Sequence, residues 1–211
     1  MLDVIDLECR YAHQPLFSAL SFRLGHGEAV RVCGTNGSGK TSLLRMLCGL
    51  MQPAQGDVLW KGKSIGRTES CFAASLLHVG HTNGLKAEFT PFENLYFYAK
   101  MRRLAVASHD IATALAALGL DPRSKLPVKA LSPGLRRRVA LSVLLLGTNI
   151  SLWILDEPFG ALDCAGIAVV HTLLLAHLAR GGLLVMTTHQ DVDLGAVRTR
   201  QVTLEPTGRG A

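Results

Sequence analysis

Apolar residues gather in short runs along the first part of the chain. Asp3 to Tyr11 and Ala19 to Leu24 are predicted strands, and Gly25-His26-Gly27-Glu28 is a turn leading into the apolar run Ala29 to Cys33, so the chain opens as antiparallel β structure. The glycine-rich stretch Gly34 to Gly39 gives way to Lys40 to Cys48, whose Leu43, Leu44 and Leu47 share one helical face, with Gly49 placed to end the helix. Val58 to Lys61 and Ser75 to Val79 are further predicted strands, and the polar, turn-rich residues between them have no period that assigns them. Thr90-Pro91-Phe92-Glu93 combines an N-cap, a proline at the first helical position and a Glu that closes a capping box, which predicts a helix to about Met101. Ser108 to Gly119 is a second helix of this group and Ser132-Pro133 opens a third to about Leu146, so a small helical subdomain, approximately residues 90–146, is inserted in an alternating chain. Ser151 to Leu155 and Leu183 to Thr187 are apolar without alternation and flank a helix over Asp163 to Arg180 that Gly181-Gly182 ends. Continuously apolar strands joined by a helix imply a parallel sheet covered on both faces, an α/β core.

With 211 residues, 48% hydrophobic and 18% charged, the chain has enough apolar surface for one substantial core and is not disordered. The longest apolar stretches, Val139 to Leu146 and Ile167 to Leu178, fall short of the ~20 residues of a spanning helix. Met1 to Glu8 has acidic residues and no basic n-region, so a cytoplasmic location is expected. Five scattered cysteines without a C-x-x-C pair read as reduced core thiols. A net charge of +6 permits an anionic partner without choosing one.

Candidate chemistry enters with Gly34-Thr35-Asn36-Gly37-Ser38-Gly39-Lys40-Thr41, which fits G-x-x-x-x-G-K-[ST] between a predicted strand and a helix. Such a loop wraps a phosphate in backbone N–H groups, with the lysine reaching the β and γ phosphates and the Thr41 hydroxyl on Mg²⁺. Asp156 closes the apolar strand Leu152-Trp153-Ile154-Leu155 as a second metal ligand. Glu157 follows it, placed to polarise an attacking water as general base. His189 follows the strand ending near Thr188 and is expected at the carboxyl edge of the sheet, close to the γ phosphate. His171 and His177 are not spaced as a metal pair and read as structural.

In order along nearly the whole chain, these residues resemble the nucleotide-binding subunit of an ABC transporter. Leu131-Ser132-Pro133-Gly134-Leu135 stands where that family has its Leu-Ser-Gly-Gly-Gln signature, Gly160 to Asp163 resembles the D-loop, His189 the switch histidine, and Tyr11 the aromatic residue that stacks on adenine. The resemblance implies one P-loop NTPase domain over residues 1–211: a RecA-like parallel sheet core, an N-terminal antiparallel β subdomain and the small helical subdomain. It implies ATP and Mg²⁺, with Ser132, Gly134 and Asp163 added to the nucleotide contacts. His81 falls where the family has its Q-loop glutamine and joins Thr41 and Asp156 as a candidate metal ligand. Pro133 and Leu135 depart from the signature, although Ser at the N-cap and Pro in the first turn preserve a helix start. Arg136 to Arg138 read as a solvated helix face rather than a nucleic-acid patch.

Gly80-His81-Thr82-Asn83-Gly84 with Glu93-Asn94-Leu95, Phe17 to Phe22, Trp153 to Pro158 and Thr187 to Gln190 resemble one branch of the family, the ATP-binding subunit of the haem exporter of bacterial cytochrome c maturation. That branch implies a homodimer working with integral membrane permease subunits, peripheral to the cytoplasmic face of the inner membrane. It implies no nucleic acid and no direct haem binding. The alternatives are an ABC ATPase for another substrate, a soluble non-transport ABC ATPase, a P-loop kinase or GTPase, and an inactive pseudo-ATPase. No second cassette, long coiled-coil insertion or Asn-Lys-x-Asp guanine reader favours the soluble ATPase or the GTPase.

Overall fold

The strands expected at the N-terminus are present in the computed structural model, which describes residues 1–11, 14–67, 69–190 and 192–205. The chain divides into two units, Met1–His78 with Ile150–Glu157 and His177–Ala211, and Val79–Asn149 with Pro158–Ala176.

In the first unit, β1 (Leu2–Tyr11) pairs antiparallel with β2 (Gln14–Leu24) and with β4 (Gln55–Trp60), which pairs with β5 (Lys63–Ser64). The register shifts between Val4 and Leu7, where Asp6 has φ 45°, and this bulge keeps Leu2, Val4, Leu7 and Cys9 all buried. β2 starts at Gln14 rather than at the expected Ala19; it is an edge strand, where Pro15 removes no interior ladder bond.

The five-stranded sheet has the order β6-β7-β8-β3-β9, from β6 (Leu76–Val79), β7 (Leu152–Asp156), β8 (Leu183–Thr187), β3 (Ala29–Gly34) and β9 (Thr199–Leu204). β7, β8, β3 and β9 run parallel, and β7 and β8 are buried along their whole length, which is why both read as unbroken apolar runs. β9 has no counterpart in the sequence expectations: it is an edge strand, only Val202 and Leu204 are buried, and its polar outer residues mask it. Helix α1 (Lys40–Leu47) sends Leu43, Leu44, Met46 and Leu47 into the core that the two sheets share. The unassigned stretch after β5 contains α2 (Glu69–Ser75), which is why the strand expected from Ser75 starts at Leu76.

The second unit is helical. α3 (Pro91–Met101) opens with the expected capping box, Thr90 Oγ1 accepting from Glu93 N–H and Glu93 accepting from Thr90 N–H. α4 (Ser108–Ala117) follows, and the third expected helix is broken into α5 (Pro133–Leu141) and α6 (Val143–Leu146). Ser142 causes the break, because its hydroxyl donates to Arg138 O at 2.9 Å and its N–H is shared between Arg138 O and Val139 O. α7 (Cys164–Ala179) begins at Asp163, whose Oδ1 accepts from Gly166 N–H as an N-cap. Among the described residues no helix is long and apolar enough to cross a membrane. The cysteines are not all core thiols. Cys9 and Cys48 are buried, Cys33 is half-buried, and Cys71 and Cys164 are exposed because they sit on solvent-facing helix positions.

His177 shows how tightly the first unit is packed. It is 1% exposed, its ring stacks on Trp153 at 3.9 Å between centroids, and its Nε2 lies 3.1 Å from Leu183 O. A Cβ on Gly182 would fall 2.3 Å from the imidazole, so only glycine fits there. Burial pushes the His177 pKa down to about 4, against the pull of Leu183 O toward the charged form. The folded imidazole stays neutral where the unfolded one, at ~6.5, takes up a proton. The stabilisation is therefore complete above the unfolded value and is lost as pH falls from ~6.5 to about 4, on the order of 3 kcal/mol in all. His78, also shifted down by burial, acts in the same direction. His177→Phe keeps a flat ring on Trp153 without the titration, so its denaturation midpoint should fall less steeply over that pH range. An unchanged slope would remove His177 from the explanation.

Candidate active site

β3 delivers the chain into the glycine loop. A Cβ at Gly34 would lie 2.5 Å from Ser38 Oγ and 2.6 Å from Leu204 O, so the loop closes this tightly only on glycine. Gly39, at φ 96° and ψ 10°, turns the loop into α1 with no side-chain cap, and the first turn has no acidic residue. A helix start of this kind leaves backbone N–H groups and the positive end of the dipole for an anion. Ser38 Oγ is buried and has no hydrogen-bond partner among the described residues, one more group that an oxyanion would satisfy. Lys40 Nζ donates to Gly34 O at 2.8 Å and to Thr35 O at 3.0 Å, so the cation lies over the loop. A cavity of about 480 Å³ opens here, lined by Gly34 and Lys40 on one side and Thr188, His189 and Gln190 on the other. Thr35, Asn36 and Gly37 form the exposed rim of the loop. Tyr11 is 76% exposed at the end of β1, which excludes a core role and leaves its ring open for stacking.

The carboxylates come from the neighbouring strand end. Asp156 and Thr187 are register partners on β7 and β8, and Thr187 Oγ1 donates to Asp156 Oδ1 at 2.7 Å while accepting from Glu157 N–H at 2.8 Å. Asp156 Oδ2 accepts from Thr41 Oγ1 at 3.0 Å, which ties the phosphate loop to the carboxylate. A hydroxyl and a carboxylate form the hard-oxygen pair that Mg²⁺ takes, so the residues present fit that ion. Glu157 has φ 48°, a left-handed conformation uncommon for any residue but glycine, held by the Thr187 bond on its N–H. Its side chain meets His189, with Nε2 to Oε1 at 3.4 Å and the His189 N–H to Oε2 at 3.4 Å. Asp156, Glu157 and His189 thus converge on one edge of the sheet, beside the glycine loop.

A second cavity of about 420 Å³ lies between the end of α1, β4, β5 and α2, away from these groups. Its one carboxylate, Asp57, already accepts from Val58 N–H and Ser64 Oγ, so it offers no comparable chemistry.

The remaining expected residues lie in the second unit. Ser132 is the N-cap of α5, its Oγ accepting from Leu135 N–H at 3.3 Å, and Pro133 occupies the first helical position, so the helix start survives the altered signature. A Cβ on Gly134 would approach Ala161 O to 2.8 Å, which ties the signature closely to the turn before Asp163. Asp163 is paired with Arg138, and its carboxyl is held below the usual range first by the Gly166 N–H and then by that guanidinium. His81 is exposed.

The match to an ABC transporter family model runs over residues 17–160. The chain is 45% identical to the cytochrome c biogenesis ATP-binding export protein CcmA of Dechloromonas aromatica, over 97% of this chain and 100% of that protein. It is 41% identical to the protein of the same name from Escherichia coli O6:H1, over 99% and 98%. The chain belongs to the CcmA family of ABC transporter ATP-binding subunits. Among solved structures, an ATP-binding subunit of an ABC transporter superposes with a TM-score of 0.80 at 27% identity, covering 90% of this chain and 80% of that one. A dimeric ATP-binding cassette bound to ADP and Pi superposes at 0.83 with 21% identity, covering 98% and 95%, which places the CcmA-type chain in the α/β ABC ATPase fold.

Two features of this CcmA-type subunit escape sequence reasoning. Thr187 joins the Asp156 carboxylate to the Glu157 backbone N–H, a role visible only once β7 and β8 are in register. Arg136 to Arg138 are not a solvated face. Arg137 is 5% exposed, Arg136 donates to Leu131 O and Lys129 O, and Arg138 donates to Leu118 O at the end of α4 besides pairing with Asp163. The acceptors are loop and helix-end carbonyls, which leave no trace in the sequence.

Proposed function

We propose that two copies of this chain pair head to tail, bind and hydrolyse ATP, and thereby energise haem export, or release of a haem-loaded chaperone, for cytochrome c biogenesis. The observation that carries this reading is the continuous network from Thr41 through Asp156, Thr187 and Glu157 to His189 beside the glycine loop. ATP lies along Gly34 to Thr41 with its adenine on Tyr11; Lys40 leaves the Gly34 and Thr35 carbonyls for the β and γ phosphates. Mg²⁺, when bound, neutralises charge on those phosphates. Thr41 and Asp156 hold it, and Thr187 keeps the Asp156 carboxylate turned for that purpose. Glu157 takes the proton of the water that attacks the γ phosphorus, ADP leaves, and His189 holds the γ-phosphate oxygens and the Glu157 side chain in place. Ser132 and Gly134 of the second copy close over the same nucleotide, with Asp163 at the join between copies. Opening after hydrolysis moves permease subunits that anchor the pair to the cytoplasmic face of the inner membrane.

Tagged Glu157→Gln protein, purified from detergent-solubilised membranes with ATP and analysed by mass spectrometry, tests the assignment. Polytopic membrane subunits together with a haem chaperone are expected. Permeases of another system would replace the substrate, and ribosomal or repair proteins would remove the transport role.

A further inference from the structure

α5 begins with the signature residues and carries, one turn further on, the buried Arg137. Its guanidinium Nη1 donates to Gly80 O at 2.9 Å and to Asn83 Oδ1 at 3.1 Å. Gly80 and Asn83 bracket His81 and Thr82, both exposed, and Gly84 turns the chain away at φ 63°. The turn carrying His81 is therefore fastened from within by a residue of α5. A guanidinium taken this far out of water needs its acceptors, so the fastening resists stretching. At the start of the same helix, Ser132 O accepts from Arg136 N–H at 2.9 Å and Ser132 Oγ from Leu135 N–H, so Arg137 follows directly on the first turn that presents Ser132 and Gly134.

We propose that Arg137 is a positioning residue: it locks the 80–83 turn to the start of α5, so that His81 and the signature pair Ser132 and Gly134 move as one body during the ATPase cycle. The proposal rests on the function proposed above, in which Ser132 and Gly134 close on the nucleotide. Arg137 touches none of the reacting atoms. A lysine does not take its place, because its compact ammonium is more strongly hydrated than a guanidinium and costs more to bury at this site.

The experiment uses the full chain as wild type, Arg137→Lys, Asn83→Ala, the double variant and Glu157→Gln. Arg137→Lys is expected to lower kcat about tenfold with little change in KM for ATP, since the phosphate loop is untouched. Asn83→Ala is expected to lower kcat in part, and the double variant to be no worse than Arg137→Lys alone, because both remove one link. Additive losses, or a raised KM at unchanged kcat, would overturn the proposal. Amide hydrogen exchange supplies a readout that needs no turnover: Asn83→Ala should speed exchange at Leu135 and Arg136, beyond the link, about tenfold. Unchanged exchange there overturns the proposal whatever the ATPase rate. A wild type without ATPase activity, or a Glu157→Gln protein that turns over normally, instead overturns the proposed function and leaves the exchange result to decide the role of Arg137.

Discussion

Replacing Glu157 by Gln should lower steady-state ATPase activity by about 10²–10⁴-fold while leaving ATP binding intact. Glu157 Oε1 lies 3.4 Å from His189 Nε2, at the strand edge where Asp156 and Thr41 meet. The amide keeps the size and polar reach of the carboxylate and removes only its capacity to accept a proton from water. Its backbone stays at the same strained φ, since the Thr187 hydroxyl still accepts from the residue's N–H. Binding should persist because the glycine loop, Lys40 and Thr41 are unchanged. The signature of success is therefore a split: wild-type affinity for ATP, nearly absent phosphate release, and a pair of chains that stays associated once ATP is added. Gel filtration with and without ATP, beside a phosphate-release assay, measures both. Normal turnover by Glu157→Gln would remove the general base from the mechanism.

Lys40→Ala should produce the opposite split and fail at binding. The loss of one charge-assisted contact in a partly enclosed site is worth about 3 kcal/mol, or roughly a hundredfold in Kd. Without ATP, Lys40 Nζ is held by two loop carbonyls, Gly34 O and Thr35 O, both at the surface end of the site. Removing these bonds touches no core residue, so the melting temperature of the protein alone should change little. ATP should raise the wild-type melting temperature by mass action and leave Lys40→Ala where it was. Lys40→Arg separates charge from shape, because the broader guanidinium does not fit the loop, and it should fail in the same way. A normal ATP-induced rise in Lys40→Ala would move the phosphate site elsewhere.

What the sequence discloses of this chain depends on how local each feature is. The phosphate loop is legible because all its requirements fall within eight consecutive residues, Gly34 to Thr41. The capping box at Thr90 and the helix start at Ser132 are legible for the same reason. The parallel core shows through the unbroken apolar runs of β7 and β8, each buried on both faces. Thr187 could not be read this way, since its partner Asp156 is set by strand register across a helical crossover. The arginines of α5 mislead because a run of three charges usually marks a wet surface, whereas here backbone carbonyls draw them inward, Leu131 O from the segment before α5 and Gly80 O and Leu118 O from further away along the chain. β9 hides because an edge strand buries only alternate residues.

Holocytochrome c formed in a bacterium whose own CcmA-type subunit has been deleted, and which expresses this chain or its Glu157→Gln variant at equal level, tests the proposed role most directly. The expected result is that the wild-type chain restores haem-stained cytochrome c and the Glu157→Gln variant does not. Restoration by both would contradict a role in which ATP hydrolysis at this site energises cytochrome c biogenesis.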